Sequence, residues 1–514
     1  MTTGQRVLLN TVATYGRSAL AIFLGLYSCR WVLQCLGKVD YGLMGVVGGL
    51  FGFVAILNGV TSTSCSRYFA LVAGKGDEEE LKKWFNVAWF IHIALPLLLL
   101  CIGLPLGDYI VRNVLVVPAE RLTTARIVFV LSVATSFVSM IASPYTGMMI
   151  ARQNIAEMSL WNMAGTICNF IGAYSLFFCT GDKWLVYASV TTVSSIAVTI
   201  GQSYRCHKLY SACRVDMTKL FDTSRIVAIF SFSVWQLLAS IGGIFRSVCM
   251  GMLINRRFPP QHNPDANASY AVGMSIYNYS QVLSGALLGA ISPELTSTEG
   301  RGDRGRLIEN ATRASKFAVF LVLVICIPLM LEIHTVLDIW LKDPPAAAWL
   351  FAICWMCVAI VDNLTYGQMA CVFAVGKIAA YQCVVSGLSM SALPVAWVMY
   401  RCGAGLHAAG TSIVITYTLA MCARVIMCKY LTGYPIMQWF YRVLRPIAFC
   451  ILFAFSAGYV ATFAPIHGTL VGIALTTVVS VSVLCVACWC FLFDKTEKAF
   501  VMAQFNSVVM RIRR

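Results

Sequence analysis

Residues 7–27 read VLLNTVATYGRSALAIFLGLY, an apolar run with a single charge, Arg17, near its middle. A helix of roughly 20 apolar residues crosses the hydrocarbon of a bilayer. Long continuous runs of this kind, without alternation at period two, predict helices rather than the strands of a barrel. Dividing the chain at its charged and Gly-, Pro- or Asn-rich breaks gives about 14 such runs. We therefore expect an all-α polytopic membrane protein.

The composition of the whole chain supports this expectation. Of 514 residues, 59% are hydrophobic and 12% are charged, and the mean hydropathy is +0.77. A soluble globular domain carries about 25% charged residues, so that class is excluded. The net charge of +16 has to be explained by a membrane rather than by nucleic acid.

The basic residues divide unevenly between alternate loops. With the amino terminus in the cytoplasm, about 25 of them, Arg424 included, fall in inside segments. About nine fall outside: Arg30, Lys38, Arg112, Arg121, Lys183, Arg256, Arg257, Lys342 and Arg401. The positive-inside rule then places both termini in the cytoplasm, with anionic lipid as the partner of the basic surface.

Several features recur at a nearly constant spacing. Arg17 and Arg246 are 229 residues apart, and so are Tyr41 and Tyr270. An offset of 226 relates residues 74–77 (GKGD) to residues 300–303 (GRGD). It also relates Leu115 to Leu341 and Pro118 to Pro344. Ordered matches of this kind indicate an internal duplication.

The repeated unit has about six spans, and an even number gives both copies the same orientation. Parallel repeats of this kind occur in secondary transporters, where the substrate path lies between the halves. We predict a first lobe over residues 1–222, with six spans and a cytoplasmic connector, and a second six-span lobe over residues 223–430. Residues 431–514 would form two extra helices and a basic cytoplasmic tail.

Motifs of soluble catalysis are missing from the sequence. Neither Gly74-Lys75 nor Gly376-Lys377 has the upstream glycine and following hydroxyl residue of a P-loop. The sequence contains no HExxH and no GxSxG. We therefore expect neither an enzyme nor a bound cofactor or metal, although a membrane-embedded glycosyltransferase or polymerase with dispersed catalytic residues stays open.

Charges inside the predicted spans are the main functional signal. An arginine at a helix centre costs about 2.5 to 3.5 kcal/mol, so Arg17 and Arg246 should face a partner or an aqueous cavity. The planar guanidinium suits phosphate oxygens, which predicts a phosphate or pyrophosphate substrate. Arg67 and Arg126 lie near span ends, where they either snorkel or line the cavity. Asp362 is either a coupling site for H⁺ or Na⁺ or the counter-ion of an arginine.

A family resemblance adds to this interpretation. The stretches at residues 15–17 (YGR), 26–30 (LYSCR), 36–42 (LGKVDYG), 74–77 (GKGD) and 118–121 (PAER) resemble the polysaccharide transporter family, the Wzx-like flippases. This family belongs to the multidrug/oligosaccharidyl-lipid/polysaccharide (MOP) exporter superfamily. The resemblance implies two six-helix lobes around a central cavity, a MATE-like fold. It also implies alternating access that moves an undecaprenyl-pyrophosphate-linked oligosaccharide outward across the bacterial inner membrane.

Residue by residue, Arg17 and Arg30 match the family pattern of the first helix and Arg67 matches the position after helix 2. Arg246 matches the expectation of a cationic seventh helix. Tyr41 and Tyr270 are candidates to stack on sugar rings. The stretch Arg256–Pro264 departs from the Gly-Pro turn of relatives, which affects the rim and the choice of glycan.

The resemblance also implies partners and a driving force. Partners would be the lipid-linked oligosaccharide, membrane lipids, a polysaccharide polymerase and glycosyltransferases. The cycle would be driven by H⁺, by Na⁺ or by the membrane potential. A peptidoglycan-precursor flippase and a multidrug cation antiporter of the same superfamily are the alternatives, and the antiporter should carry an acid in helix 1 where this chain has Arg17.

Overall fold

The computed structural model describes residues 3–49, 52–152, 154–216, 220–285, 302–376, 378–464 and 470–495, and residues 291, 295, 298, 299, 497–499 and 502. These residues form helices and connecting turns, and no strand occurs among them. In some of the helices only the backbone is described. The all-α prediction is confirmed.

The described helices follow one another along the chain. In the first half they are α1 Thr3–Gly49, α2 Gly52–Lys75, α3 Glu78–Tyr109, α4 Leu122–Ala151, α5 Ile155–Ser175, α6 Lys183–Leu209, α7 Thr223–Ile244, α8 Met250–Arg257 and α9 Asp265–Ser280. In the second half they are α10 Arg304–Leu331, α11 Ile333–Leu341, α12 Ala348–Leu364, α13 Tyr366–Val375, α14 Ile378–Met390, α15 Ala392–Arg401, α16 His407–Thr432, α17 Ile436–Trp439, α18 Arg445–Ala461 and α19 Leu470–Ala487.

Nine helical stretches in the described chain are long and apolar enough to cross a membrane, and α12 with α13 makes a tenth if this bent pair is one span. Helices α2, α5, α7 with α8, and α9 do not meet these criteria within the described residues. Nine or ten of the about 14 predicted spans are therefore found in the described chain. The chain is a multi-pass membrane protein.

Packing divides the chain into two compact units. Unit 1 contains Met1–Val272, Trp340–Ala348 and Ser389–Ser412, and unit 2 contains Gly273–Ile339, Trp349–Leu388 and Ile413–Arg514. These are packing units, whereas the predicted lobes are repeat units. The boundaries at residues 222 and 430 therefore stay a prediction.

Two backbone features interrupt regular helix geometry, one within α1 and one between α7 and α8. Gly37 has φ 79° and ψ 171°, so residues 3–36 and 38–49 are separate helical segments joined at this glycine. A left-handed φ is open to glycine because it has no Cβ. Between α7 and α8, Phe245–Cys249 forms a π-helical turn, a distortion that is frequent at functional sites.

The recurring Gly-Asp loops have the same conformation in both places. Gly76 and Gly302 have φ of 75° and 77°. Asp77 and Asp303 each cap the next helix by accepting from the backbone N–H three residues later, at 2.9 and 3.0 Å. The leucine four residues after each aspartate is fully buried. Capping explains the residue types, because the aspartate satisfies an otherwise unpaired N–H of the first turn.

The two C-terminal helices belong to the core of unit 2. Both α18 and α19 pack against α10, and a Cβ at Gly458 would lie 2.5 Å from Leu331. Thr476 of α19 donates to the buried Glu332 at 2.8 Å. The predicted extra helices are therefore integral parts of this unit rather than appendages.

A buried ion pair also connects the C-terminal segment to α10. Lys316 Nζ lies 3.0 Å from Glu497, and their side chains are 1% and 2% exposed. Asp494 lies 3.1 Å from the same ammonium. Lys316 is therefore neutralised within the protein, by tertiary partners that lie about 180 residues further along the chain.

Candidate functional site

The break between α12 and α13 lies next to an acidic residue of unit 2, Asp362. Helix α12 ends at Leu364 and α13 begins at Tyr366, with a bend of 47° between them. Asp362 lies in the last turn of α12. Broken helices are the usual place for ion and substrate groups in secondary transporters, because they expose polar backbone within the membrane.

Asp362 is neutralised by an arginine from α16. Arg424 Nη1 donates to Asp362 Oδ1 at 2.8 Å and to Thr365 Oγ1 at 3.3 Å. Tyr277 OH donates to the other carboxylate oxygen at 3.0 Å. The Arg424 and Asp362 side chains are only 12% and 15% exposed. Both oxygens of the acid are therefore engaged.

A second set of hydrogen bonds begins at Asn363, the residue that follows Asp362. Asn363 Nδ2 donates to Gln281 Oε1 at 2.7 Å, and Ser284 donates to the same oxygen at 3.0 Å. Tyr366 OH donates to the Ser284 carbonyl at 3.0 Å. Side-chain bonds of this kind hold helices together where lipid supplies no hydrophobic force. The network connects α12 and α13, on the two sides of the break, to Gln281 and Ser284, which follow α9.

Arg424 is a site residue that the sequence pattern does not reveal. The charge distribution predicts it among the inside basic residues, and the structure buries its side chain within α16 and pairs it with Asp362. The available signal was the apolar sequence that surrounds it, His407–Thr432, which is long and apolar enough to span a membrane. The geometry favours the counter-ion interpretation of Asp362, and its role in ion coupling stays a prediction.

Arg17 has a different environment in unit 1. It lies in α1, one turn before Leu20–Gly49, the stretch that meets the criteria for a span. Its side chain is half-buried. Among the residues that the structure describes, none forms an ion pair with Arg17. A half-buried guanidinium with no carboxylate partner in the described part of the chain is available to an external anion.

The other predicted site residues of the first helices have mixed positions. Arg30 is half-buried in α1. Tyr41 is 6% exposed and its hydroxyl lies 3.1 Å from Cys29 Sγ, whereas Tyr270 of α9 is 3% exposed. The backbone segments that carry the two tyrosines pack closely, since a Cβ at Gly42 would lie 3.0 Å from the Ala268 nitrogen. In this conformation both rings are core residues of unit 1.

For two further predicted residues the structure describes only the backbone. Arg246 lies in the π-helical turn Phe245–Cys249, and Arg67 lies in α2. The side chains of both fall outside the described residues. Arg126, by contrast, donates through Nε to Asp108 at 2.6 Å, and its side chain is 44% exposed. Arg126 therefore forms an ion pair at the protein surface, which is a structural role.

The connector before α7 contains a paired arginine of unit 1. Arg225 donates to both oxygens of Glu80 at 2.8 and 3.0 Å and also contacts Asp222. The hydroxyl of Ser224 and the neighbouring Arg225 lower the pKa of Asp222. These groups fasten the connector to the start of α3, so Arg225 is structural.

Solved structures match the chain over most of its length. Lipid II flippase MurJ, in an inward closed conformation, has a TM-score of 0.67 at 12% identity and covers 94% of this chain and 98% of its own. An inward-facing multidrug resistance MATE family transporter of the MOP superfamily has 0.67 at 12%, with 82% and 98% covered. A MATE structure in complex with MaL6 has 0.63 at 13%, with 84% and 99% covered.

Sequence comparisons give no match. No family model and no curated protein matches the chain. At 12–13% identity the structural likeness concerns the fold. The chain has the fold of MOP-superfamily transporters, as the MATE-like prediction stated.

Proposed function

We propose that the chain is a flippase. It turns an undecaprenyl-pyrophosphate-linked oligosaccharide, the repeat unit of an O-antigen, capsule or exopolysaccharide, from the inner to the outer leaflet of the bacterial inner membrane by alternating access. The observation that carries the proposal is Arg17, a half-buried cation with no ion pair in the described chain. A multidrug cation exporter has no use for such a charge.

The chemistry of the substrate follows from the guanidinium. Arg17 and Arg246 hold the pyrophosphate, because a planar fork of N–H donors bonds two phosphate oxygens at once. Arg30 and Arg67 extend the cationic surface. Tyr41 and Tyr270 stack on the sugars only after the segments around Gly42 and Ala268 separate, because both rings are buried in this conformation.

The membrane potential supports outward movement of this substrate. Moving a negative charge out of a negative interior is favoured by about 2.3 kcal/mol per 100 mV. Coupling to H⁺ or Na⁺ at Asp362 is a further proposal, and it requires Arg424 to release the carboxylate. Both termini lie in the cytoplasm in this arrangement, with the polymerase and glycosyltransferases of the glycan pathway as partners.

A peptidoglycan precursor is the second candidate substrate. The lipid II flippase covers 94% of this chain, whereas the MATE family transporter covers 82%. The difference of about 60 residues is close to two spans of about 20 residues with their loops. The two substrate classes share the polyprenyl pyrophosphate and differ in the saccharide.

Transport in vesicles tests the proposal. Purified protein in proteoliposomes would be offered three fluorescent substrates: a polyprenyl-pyrophosphate oligosaccharide, a polyprenyl-pyrophosphate muropeptide and a cationic dye. Quenching of the outer leaflet measures the rate of transfer. We expect transfer of the oligosaccharide lipid and a loss of about tenfold or more in Arg17→Gln, since a hydrogen bond to a charged group contributes about 1.5 to 3 kcal/mol.

Arg126→Gln is the matched control, because its guanidinium is already bound by Asp108. It should transport at the wild-type rate. Preference for the muropeptide lipid would select the second candidate. Export of the dye without transfer of either lipid, or wild-type rates in Arg17→Gln, would overturn the proposed function.

A further inference from the structure

A cavity opens in unit 1 where α8 and α15 end. Its volume is about 410 Å³, and it is lined by Leu253, Arg256, Arg257, Trp397, Tyr400 and Arg401. The size falls within the range of about 300 to 1,000 Å³ that is usual for small-molecule sites. Residues separated by about 140 positions in the chain therefore form one lining.

Three arginines contribute to this lining without a carboxylate. In the described chain, Arg256, Arg257 and Arg401 form no ion pair. Arginines in the last turn of a helix are favoured by its dipole, by about 0.3 to 1 kcal/mol each. The dipole accounts for a cation at each helix end, but not for three like charges around one cavity, where their mutual repulsion has to be offset.

Three other arginines of unit 1 are paired with acids. Arg112 and Arg126 both bind Asp108, at 2.8 and 2.6 Å, and Arg121 binds Asp40 at 2.9 Å. The arginines of the cavity differ from these three in having no carboxylate partner in the described chain. The positive-inside bias makes a cluster of cations on the predicted outer side rarer still, because basic residues are depleted from outside loops.

Aromatic rings hold two of the arginines in place. The Arg401 guanidinium lies 5.1 Å from the Trp397 ring centre, and Arg257 lies 5.7 Å from the Phe258 ring centre. Phe258 in turn packs edge-on against Tyr400 at 5.4 Å. Tyr400 is 3% exposed and donates to the Leu406 carbonyl. A guanidinium group that stacks on an aromatic ring keeps its N–H edges free for a ligand.

We propose that this cavity binds a phosphate ester presented at the membrane surface. Three guanidinium groups match the oxygens of a phosphate or pyrophosphate, and Trp397, which is 49% exposed, covers the adjacent glycerol or sugar. Tryptophan is a common residue at the depth of lipid headgroups. The ligand comes either from an anionic phospholipid or from a polyprenyl-pyrophosphate lipid. The site is distinct from Arg17 and does not depend on transport.

Lipid binding to the intact protein tests this site. The full chain in neutral detergent would be titrated with phosphatidylglycerol, undecaprenyl pyrophosphate and phosphatidylcholine, and bound lipid counted by native mass spectrometry. We expect the wild type to bind at least one of the two anionic lipids about tenfold more tightly than phosphatidylcholine. The triple variant Arg256→Gln/Arg257→Gln/Arg401→Gln is compared with its parent in an Arg17→Gln background, so that the proposed transport site does not contribute. It should lose that preference while keeping its melting temperature.

Controls separate this result from the proposed function. Arg112→Gln/Arg126→Gln removes two exposed arginines of the Asp108 cluster and should bind like its parent protein. Trp397→Leu should weaken binding about threefold. Preference for both anionic lipids supports the phospholipid source, and preference for undecaprenyl pyrophosphate alone supports the polyprenyl source. Equal binding of all three lipids, or an unchanged preference in the triple variant, would overturn the inference.

Discussion

Arg17 in unit 1 and Arg424 in unit 2 are both arginines on helices of a membrane protein, yet their surroundings differ. Arg424 is 12% exposed and bonds Asp362 at 2.8 Å. Arg17 is half-buried and has no ion pair in the described chain. Charge within a span is therefore evidence for two different roles. A paired arginine holds helices together, whereas an unpaired one is available to a substrate.

Removing one member of the buried pair should have the largest effect. Arg424→Gln leaves the Asp362 carboxylate buried without its counter-ion, which costs about 3 to 5 kcal/mol of the free energy of unfolding. Unfolding in mixed detergent micelles measures this loss. The double variant Asp362→Asn/Arg424→Gln removes both charges and should recover much of the stability. If the single and the double variant were equally stable, the unpaired Asp362 carboxylate would not be the cause of the lost stability.

The hydrogen bond from Tyr277 to the same acid should have an intermediate effect. Tyr277→Phe keeps the ring, which packs against Trp355 at 5.1 Å, and removes the donor at 3.0 Å from Asp362. Loss of a hydrogen bond to a charged group costs about 1.5 to 3 kcal/mol. The same unfolding experiment measures it. Stability equal to the wild type would mean that Arg424 alone holds the carboxylate.

An N-cap provides a smaller effect that is independent of both arginines. Asp77→Ala and Asp303→Ala should each cost about 1 kcal/mol, because the two aspartates cap α3 and α10 in the same geometry. Similar losses in the two variants are expected if the loops are equivalent copies. A loss confined to one of them would argue against structural equivalence of the repeats. Thermal unfolding of the two variants side by side makes the comparison.

The smallest effect on stability is expected at Arg17 itself. Arg17→Gln breaks no described ion pair, so the free energy of unfolding should change by less than about 0.5 kcal/mol, as for surface substitutions without a structural role. Transport should nevertheless fall. Arg17→Lys, which keeps the charge but loses the fork of donors, should recover part of it. A loss of stability like that of Arg424→Gln would remove the distinction between the two arginines.

The features of the fold that depend on local sequence could be predicted. The 14 apolar runs, the Gly-Asp loops and the all-α class depend on hydropathy and capping, which act within a few residues. The pairing of Arg424 could not be predicted, because a basic residue near a span end has the same local sequence whether it is solvated or paired. Its partner is 62 residues away, and no local pattern links the two positions.

The sequence by itself determined that this chain spans a membrane many times, that it contains repeated capping loops, and that Arg17 is a cation without a local acid. Only the tertiary structure decided which charges are neutralised, as for Asp362 with Arg424 and Lys316 with Glu497. It alone brought Arg256, Arg257 and Arg401 to one cavity. The physical reason is that hydropathy and capping are local free energies, whereas ion pairing depends on distances between segments that are set by the packing of whole helices.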